Sequence, residues 1–251
     1  MRLGKMEVVN ILAGFRGYTS CLEICTPTTV GDPSLLDAGR FTRVHRLVYG
    51  ASDRFDDGAP VELRSPTLDI ESCVAELGRR GALYDIVLVD PHHDYECSYR
   101  DLALGLRFLS GDGAVVIHDV LPPRNGEMIS PVFVPGAWCG LTFVAYVDFL
   151  MNENPEFFTV ESDYGCGVIG KGRQDDVFAP FRQDWQNARR DREQAFQYVS
   201  RHKYPLLNLK TDRDFLREHN WPASIAGLQR RRIIRRVRRV WDAWSAGAPG
   251  K

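Results

Sequence analysis

The sequence predicts an α/β protein built on a mostly parallel sheet. Two apolar segments, YDIVLVD at 84–90 and AVVIHD at 114–119, contain consecutive branched residues and end in an acid. Such runs are typical of strands that are buried on both faces of a parallel sheet. The segment 95–109 between them repeats apolar residues at helical spacing, so the three segments together predict a βαβ unit.

Length and composition fit one globular domain with additions. The chain has 251 residues, of which 44% are hydrophobic and 26% charged, which is enough apolar material for a sizeable core. Its formal net charge of -1 indicates no overall attraction to nucleic acid or to a membrane. The six cysteines lack metal-binding spacing, and no secretory signal or bilayer-spanning segment is evident, so we expect buried thiols and a cytoplasmic protein.

The first part of the chain contains two predicted helices and three predicted strands. Apolar residues recur at helical spacing over residues 5–16, and Gly17 follows as a helix stop. The predicted elements that follow are a strand at 20–26, a strand at 44–49, a turn at 50–58, a strand at 61–65 and a helix at 68–77.

The second part begins with the βαβ unit, in which Gly111 and Gly113 predict a turn before the second strand. The elements predicted after this unit are a helix at 141–150, a hairpin of strands at 157–162 and 165–169, and a Gln- and Arg-rich helical region from 173. We therefore divide the chain into an α/β domain at 1–172 and a helical extension at 173–251.

Acids and histidines follow both strands of the βαβ unit. Asp90, His92 and His93 come at the end of the first strand, and His118 and Asp119 come at the end of the second. Because open α/β sheets carry their chemistry beyond the carboxyl ends of the strands, these side chains can converge in one site. The alternative is that the acids cap the helices that follow and the histidines bond to nearby loops.

These residues predict a catalytic set and a metal-binding set that share several members. Carboxylates and imidazoles suit divalent metals, and an imidazole with a pKa of about 6.5 can take a proton from an alcohol. The catalytic residues that we predict are Asp90, His92 and His118. The ligands that we predict for a divalent metal, Mg or another, are Asp90, His92, His118 and Asp119.

Three other segments each have a functional and a structural interpretation. The segment 23–31, which ends the first strand and forms the loop after it, offers only Gly31 for close backbone approach, so it is either a ligand-binding loop or a polar connection. Asp69 either contacts a nucleoside or caps the next helix. Trp138 and its neighbours Cys139 and Gly140 form either a lid over the substrate or an anchor in the core.

The C-terminal segment 229–251 is strongly basic. It carries seven Arg and one Lys against one Asp, a net charge of +7, so residues 1–228 carry -8. We expect a helix at 229–244 that docks on the acidic body or on a partner subunit of a homo-oligomer. An anionic membrane or nucleic acid is the alternative partner. The apolar residues at helical spacing are Ile233, Val237, Val240, Trp241 and Trp244.

The segment 84–123 resembles a known pattern. Its sequence, YDIVLVDPHHDYECSYRDLALGLRFLSGDGAVVIHDVLPP, is similar to D-x-x-x-(I/V)-D-(G/P)-x-H-x-Y followed by L-x-x-G-G-x-(I/V)-x-H-D-x-x-P. This pattern belongs to class I S-adenosylmethionine-dependent methyltransferases, in the branch of sugar and natural-product O-methyltransferases of the macrocin type. Weaker likenesses in SCLEICTPTTVG and FTVESDYGCGVI extend the resemblance over about residues 18–170.

The resemblance implies a Rossmann-like fold with a seven-stranded sheet, a C-terminal antiparallel hairpin and S-adenosylmethionine over the end of the first strand. It also implies that a divalent metal and a small-molecule acceptor lie at the two strand ends of the βαβ unit. By position, the residues implied to bind the cofactor are Glu23, Thr26, Gly31, Asp69 and Asp90.

The sequence departs from the family pattern in two places. Cys25 stands where the family has its first loop glycine, which hinders close approach of the backbone to a cofactor. The second strand also lacks the terminal acid that holds the ribose hydroxyls, so Tyr49 or Asp53 would have to replace it.

We therefore predict methyl transfer from S-adenosylmethionine to a hydroxyl of a sugar or another small natural-product acceptor. In this hypothesis a histidine or aspartate of the two strand ends takes the proton. The two departures motivate an alternative, a metal-dependent hydrolase or lyase that has lost the methyl donor. A second alternative is a non-catalytic binding module that works through the basic C-terminal helix, and no specific nucleic acid is predicted as a partner.

Overall fold

The computed structural model describes residues 3–32, 35–37, 39–50 and 63–219. The basic helix predicted at 229–244, most of the turn predicted at 50–58, and Asp53 lie outside the described residues. Among the helices that are described, none is both long and apolar enough to cross a membrane.

The described strands form one sheet in the order β3-β2-β1-β4-β5-β7-β6-β8. Every neighbouring pair is parallel except the two pairs that β7 makes with β5 and β6. The predicted Rossmann-like, mostly parallel sheet with a C-terminal antiparallel hairpin is therefore confirmed. The strands are β1 (Ser20–Cys25), β2 (Arg43–Tyr49), β3 (Leu63–Ser65), β4 (Tyr84–Asp90), β5 (Leu109–Ile117), β6 (Pro155–Val160), β7 (Cys166–Arg173) and β8 (Leu209–Lys210).

The sheet has eight described strands, one more than the resemblance implied. The additional strand is β8, which lies between two helices of the extension and pairs with β6 at the edge of the sheet. A short 3-10 helix covers Gly126–Ile129. The helices are α1 (Lys5–Arg16), α2 (Glu71–Arg79), α3 (Tyr95–Arg107), α4 (Thr142–Glu153), α5 (Arg182–Ala188), α6 (Arg192–Leu207) and α7 (Asp212–Glu218).

The turn predicted from the glycines at 111 and 113 is wrong, because both residues lie inside β5. This strand begins at Leu109 and pairs with β4 through a register shift between Tyr84 and Ile86. A side chain on Gly113 would lie 2.7 Å from the carbonyl oxygen of Asp85. Glycine at this position therefore permits the two strands to approach closely where the register shifts.

Alternating residues of β4 face two separate cores. Ile86 and Leu88 pack in the cluster that contains the apolar residues of α1. Val87 and Val89 pack in the larger cluster that contains residues of α2, α3 and α4. Because helices cover both faces, a nearly continuous apolar sequence is the only one that suits this strand.

The register brings the carboxyl ends of the three central strands to one level. Cys25 at the end of β1 pairs with Asp90 at the end of β4. Val89 pairs with Ile117 of β5, and His118 then donates its backbone N–H to the Val89 carbonyl at 3.0 Å. The residues that follow β5 are thus held beside the residues that end β4.

The turn between β6 and β7 reaches back to the same edge. Asp163, Tyr164 and Gly165 have φ values of 54°, 61° and 90°, which is the left-handed region. Leu121 donates its backbone N–H to the Tyr164 carbonyl at 2.6 Å. A Cβ at Gly165 would lie 2.5 Å from the Leu121 Cβ, so only glycine allows this close contact. The contact holds Asp163 close to the end of β5.

A buried carboxylate joins the extension to the rest of the protein. Asp148 on α4 accepts hydrogen bonds from the Trp185 indole of α5 and the Tyr95 hydroxyl of α3, both at 2.7 Å. Arg189 also pairs with this carboxylate. Since Trp185 and Arg189 both belong to the extension, removing it would leave the buried Asp148 carboxylate without two of these three partners.

At the amino end of the sheet, Asp85 links β4 to β1. It accepts hydrogen bonds from the Thr19 and Ser20 backbone N–H groups at 2.9 and 3.0 Å and from the Ser20 hydroxyl at 2.9 Å. Burial raises the pKa of a carboxyl group, but these hydrogen bonds outweigh it and hold the pKa of Asp85 below its ordinary value.

We expect Asp85→Asn to lower the free energy of unfolding at pH 7 by about 1–2 kcal/mol, because it weakens charge-assisted hydrogen bonds. The folded-state pKa is the lower one, so this stabilisation is complete above the unfolded-state pKa of about 3.9 and is lost as the pH falls toward the folded-state pKa. Urea unfolding at pH 7 and pH 3 measures both effects. The matched control is Asp112→Asn at an exposed acid of the same sheet edge. Equal losses in the two variants would contradict the assignment.

Candidate active site at the carboxyl edge of the sheet

Five segments meet at the carboxyl edge of β1, β4 and β5. They contribute Asp90 at the end of β4, Asp119 just after β5, Asp163 in the hairpin turn, the loop 26–31 after β1, and Lys5 at the start of α1. The side chain of Asp90 is almost fully buried at their centre.

Asp90, His93 and Asp119 form a group that could hold a metal ion. One ligand atom from each residue lies within 4.8 Å of the other two, and all three residues are buried. The His93 Nε2 atom is 3.3 Å from Asp90 Oδ1 and 3.1 Å from Asp119 Oδ2. These separations match those between neighbouring ligands of a cation bound at about 2.1 Å.

The Trp138 carbonyl fixes the orientation of the His93 ring. It lies 2.6 Å from His93 Nδ1, and because a carbonyl only accepts, this nitrogen carries a hydrogen. In a neutral ring, Nε2 would then turn a lone pair toward the carboxylates of Asp90 and Asp119. Burial lowers the pKa of His93, but the two carboxylates outweigh it, so the pKa is raised. The position of Nε2 therefore requires a proton or a metal cation.

His118 is surrounded by three carboxylates. Its Nδ1 atom lies 3.3 Å from Asp90 Oδ2 and 3.1 Å from Asp119 Oδ2, and its Nε2 atom lies 3.2 Å from Asp163 Oδ2. Burial lowers the pKa of an imidazole, but Asp119 and Asp90 raise that of His118 well above its ordinary value. The environment thus stabilises a positive charge on this ring. Among the described residues, His118 does not join the set of ligand atoms that contains His93.

The structure places His92 outside this group, although the sequence predicted it as a ligand and catalytic residue. Its Nδ1 atom lies 3.6 Å from Asp94 Oδ2, and its side chain is 34% exposed. Consecutive residues of the loop after β4 project in different directions, so only His93 turns back toward Asp90. The signal was present in the sequence, since the histidine of the D-(G/P)-x-H pattern is the third residue after the aspartate.

The loop after β1 is closed by a buried ion pair. Arg46 on β2 donates from Nε to Glu23 Oε2 at 2.6 Å and from Nη2 to the Gly31 carbonyl at 2.9 Å. Glu23 Oε1 accepts the Gly31 N–H at 2.6 Å. A side chain on Gly31 would lie 2.7 Å from the Met6 sulfur, so glycine is needed for packing within the protein. Glu23 and Gly31 therefore fix the shape of the loop.

Threonine hydroxyls fix the opposite end of the loop. The Thr26 hydroxyl lies 3.0 Å from those of Thr28 and Thr29, and Thr29 donates to the Asp90 carbonyl at 2.6 Å. Cys25, which stands where the resembling sequence pattern has a loop glycine, is fully buried and packs against Val48. The loop therefore meets Asp90 through Thr29.

Lys5 is a site residue that the sequence did not indicate, and Asp163 in the hairpin turn is another. Its ammonium group contacts Asp90 Oδ2 and donates to the Thr29 carbonyl at 2.6 Å. Burial lowers the pKa of a lysine, but Asp90 outweighs it and the pKa of Lys5 is raised. Burial likewise raises the pKa of Asp90, whereas Lys5 and His118 bring it well below its ordinary value. The sequence offered no local signal, because the pair is separated by 85 positions.

Tyr49, at the end of β2, is engaged within the protein. Its side chain is fully buried, its hydroxyl donates to Asp101 Oδ2 at 2.6 Å, and it accepts the His92 N–H at 2.7 Å. Burial raises the pKa of Asp101 to about 6. Tyr49 therefore ties β2 to α3 and has no hydroxyl free for a ribose.

Asp69 lies at the start of α2 and is exposed. Its Oδ1 atom accepts the Glu71 N–H at 2.9 Å, and its carbonyl accepts the Ser65 hydroxyl at 2.5 Å. These contacts correspond to the structural interpretation of Asp69, in which the acid stabilises the beginning of a helix.

The segment 130–140 covers one side of the cluster. The Trp138 ring lies 5.1 Å from that of His93, centre to centre, and its indole N–H donates to the Ser130 carbonyl at 2.7 Å. The Cys139 thiol donates to Asp119 Oδ1 at 3.3 Å. A side chain on Gly140 would lie 2.0 Å from the His93 carbonyl oxygen, so the chain can pass here only as glycine. Trp138 is buried, and the segment excludes water from this side.

A cavity of about 720 Å³ lies against the hairpin turn, and its lining does not include Asp90, His93, His118 or Asp119. Its walls include Leu121 after β5 and Tyr164 in the turn, together with Ser200 and Lys203 of α6 and Arg213 of α7. Tyr164 follows Asp163, whose carboxylate faces His118 at 3.2 Å. The cavity and the cluster therefore share the hairpin turn as a wall.

No family model and no curated protein matches the sequence. The chain is similar to a candidate caffeoyl-CoA O-methyltransferase from Staphylococcus aureus, at 14% identity over 66% of this chain and 82% of that one, with a TM-score of 0.48. The chain is also similar to TomG, an O-methyltransferase from Streptomyces achromogenes that is involved in tomaymycin synthesis and was solved with SAM. The identity is 16% over 67% of this chain and 79% of TomG, with a TM-score of 0.46. A third similar structure is MycE, a methyltransferase from the mycinamycin biosynthetic pathway that was solved with Mg, SAH and mycinamycin VI. The identity is 16% over 63% of this chain and 46% of MycE, with a TM-score of 0.38. These solved structures are methyltransferases, and at such identities the function of this chain has to be inferred from its own site.

Proposed function

We propose that this chain transfers a methyl group from S-adenosylmethionine to a hydroxyl of a sugar or another small natural-product acceptor. The observation that carries the proposal is the buried group of Asp90, His93, His118 and Asp119 directly beside the loop that follows β1. A hydrogen bond from the Thr29 hydroxyl to the Asp90 carbonyl joins the loop to this group. Such a site can hold a methyl donor and an acceptor hydroxyl next to each other.

The loop after β1 fits the amino-acid end of the cofactor. It lies at the carboxyl end of a central parallel strand, where open α/β sheets bind their ligands. It presents the exposed Thr28 and the ammonium group of Lys5, while Glu23 and Gly31 keep it in shape. When bound, S-adenosylmethionine supplies an electrophilic methyl group on a sulfonium.

Asp90, His93 and Asp119 fit a divalent metal such as Mg. Two carboxylates and one imidazole are suitable donors, and the Trp138 carbonyl orients the imidazole as outer hydrogen-bond partners of metal ligands do. A divalent cation held by these residues would lower the pKa of an acceptor hydroxyl. In this proposal His93 takes the ligand role that the sequence predicted for His92, and His118 is not a ligand.

His118 is placed to take the proton. Methyl transfer forms a carbon–oxygen bond to the acceptor and breaks the sulfur–carbon bond, and the hydroxyl proton must leave. A divalent cation held by Asp90 and Asp119 would offset the charge of these two carboxylates, so that the neutral ring could accept this proton, and Asp163 would stabilise the imidazolium that results. The same carboxylates hold the ring in one orientation.

The cavity beside the hairpin turn is the place that we assign to the acceptor. It combines the apolar surface of Leu121 and Tyr164 with the hydroxyl of Ser200 and the charged groups of Lys203 and Arg213. Hydrogen-bonding groups next to an aromatic surface suit a polyhydroxylated small molecule.

A metal-dependent hydrolase is the second candidate. The observation that favours it is Tyr49, which is buried at the position where a ribose-binding acid is expected. This candidate retains the group of Asp90, His93 and Asp119 and does not need the methyl donor. Hydrolysis that proceeds without S-adenosylmethionine would support it.

Calorimetric titration of the full chain with S-adenosylhomocysteine tests the first proposal. We expect saturable binding with a Kd below about 1 mM, in the range in which enzymes hold their substrates. Absence of binding at millimolar ligand would remove methyl transfer and leave the hydrolase.

Transfer of a labelled methyl group to hydroxylated acceptors tests the role of His118. Because a positioned base contributes about 10²–10⁴-fold to a rate, His118→Gln is expected to lower kcat by that factor. The affinity for S-adenosylhomocysteine should stay within about threefold of the wild type, since no part of the cofactor is assigned to this residue. A variant with unchanged kcat would show that another group takes the proton.

Binding of Mn²⁺, followed by electron paramagnetic resonance, tests the metal ligands. We expect His93→Gln to weaken Mn²⁺ binding by about 10- to 100-fold or more, because it removes an inner ligand. His92→Gln is the matched control, since the adjacent ring lies outside the cluster, and it should bind as the wild type does. The opposite pattern would restore His92 as the ligand.

A further inference from the structure

Lys5 brings a positive charge into the centre of the site from a distant part of the chain. It is the first residue of α1, and its backbone N–H donates to Asp163 Oδ2 at 2.8 Å. The N–H of Leu3 donates to the Ser162 hydroxyl at 3.1 Å. Two backbone hydrogen bonds to the hairpin turn thus fix the place where the lysine side chain begins.

The ammonium group of Lys5 has one donor left. A lysine carries three N–H donors, and those of Lys5 meet Asp90 Oδ2 and the Thr29 carbonyl. Across the residues that the structure describes, no further acceptor bonds to this nitrogen. The side chain is 15% exposed, so a small ligand can reach the remaining donor while bulk water is largely excluded.

The other acids near Lys5 have partners of their own. Glu23 is paired with Arg46 at 2.6 Å, and Asp119 faces His93 and His118 at 3.1 Å each. The lysine therefore does not serve to neutralise them. A largely buried cation with a free donor, next to the loop that we assign to the cofactor, favours an anionic group at that donor.

We infer that Lys5 binds the carboxylate at the amino-acid end of the methyl donor. This inference rests on the proposed function and adds to it the residue that recognises the only carboxylate of the cofactor. In S-adenosylhomocysteine that carboxylate stands beside an amino group, and the Thr29 end of the loop places both next to Lys5 and Asp90. Lys5 is thus a binding residue contributed by α1, outside the strand ends that carry the other residues of the site.

The test compares two ligands that differ by the carboxylate alone. Calorimetry with the full chain measures the Kd of S-adenosylhomocysteine and of its decarboxylated analogue, which keeps the nucleoside, the sulfur and the amine. We expect the wild type to bind S-adenosylhomocysteine about 10- to 100-fold more tightly than the decarboxylated analogue. This ratio corresponds to the free energy of one charge-assisted hydrogen bond. A wild type that binds both ligands equally well would overturn the inference without any variant.

Variants then assign the preference to Lys5. Lys5→Met should lose most of the preference for the carboxylate while it binds the decarboxylated analogue as the wild type does, and Lys5→Arg should retain part of the preference. The matched control is Lys210→Met, which removes a lysine paired with Glu218 outside the site and should change neither Kd. Thermal melting establishes that each variant is folded, and the comparison of ligands on the wild type stands even if Lys5→Met does not fold.

Three other results would refute either the inference or the proposed function. If Lys5→Met weakens both ligands equally, Lys5 acts only by holding Asp90 and the loop, and the inference fails. If Lys5→Met binds S-adenosylhomocysteine more tightly, Lys5 competes for the cofactor's place, and the inference fails. If the wild type binds neither ligand, the proposed function itself fails, which separates that result from the other two.

Discussion

The structure depends on keeping the buried Asp90 carboxylate charged. A carboxylate removed from water is unfavourable unless several partners compensate it. Here Lys5 comes from α1 and His118 from the end of β5, and the two contact the same oxygen atom. Segments that are distant in the chain are therefore held in one arrangement by a single charge. Any loss of alignment between β4, β5 and α1 would leave that charge without compensation.

The fold was accessible from the sequence because its strongest signals are local. The apolar run of β4 reports burial on both faces, which only a helix-covered parallel sheet provides. The glycines of β5 predicted a turn that does not form, because glycine marks a turn and a close approach of strands equally well. Gly113 belongs to the second case, since it faces the Asp85 carbonyl across a register shift, and register is a property of two strands together.

The site was only partly accessible for the same reason. Strand ends indicated Asp90 and Asp119, because the carboxyl edge of a parallel sheet is predictable from the strands alone. The choice between His92 and His93 depended on how a short loop turns, although the spacing of the motif already pointed to His93. Lys5 could not be found, since nothing in the sequence of a helix start says which distant carboxylate it will meet.

The short strand β8 has a consequence for the exposed edge of the sheet. An exposed sheet edge offers unpaired N–H and carbonyl groups to any other extended chain. In this protein β8 covers the edge of β6, pairing at Thr159 and Val160, and is itself too short to serve as a template. The extension therefore pairs part of the β6 edge, and separating it from the sheet would leave the N–H and carbonyl groups there free to pair with another chain.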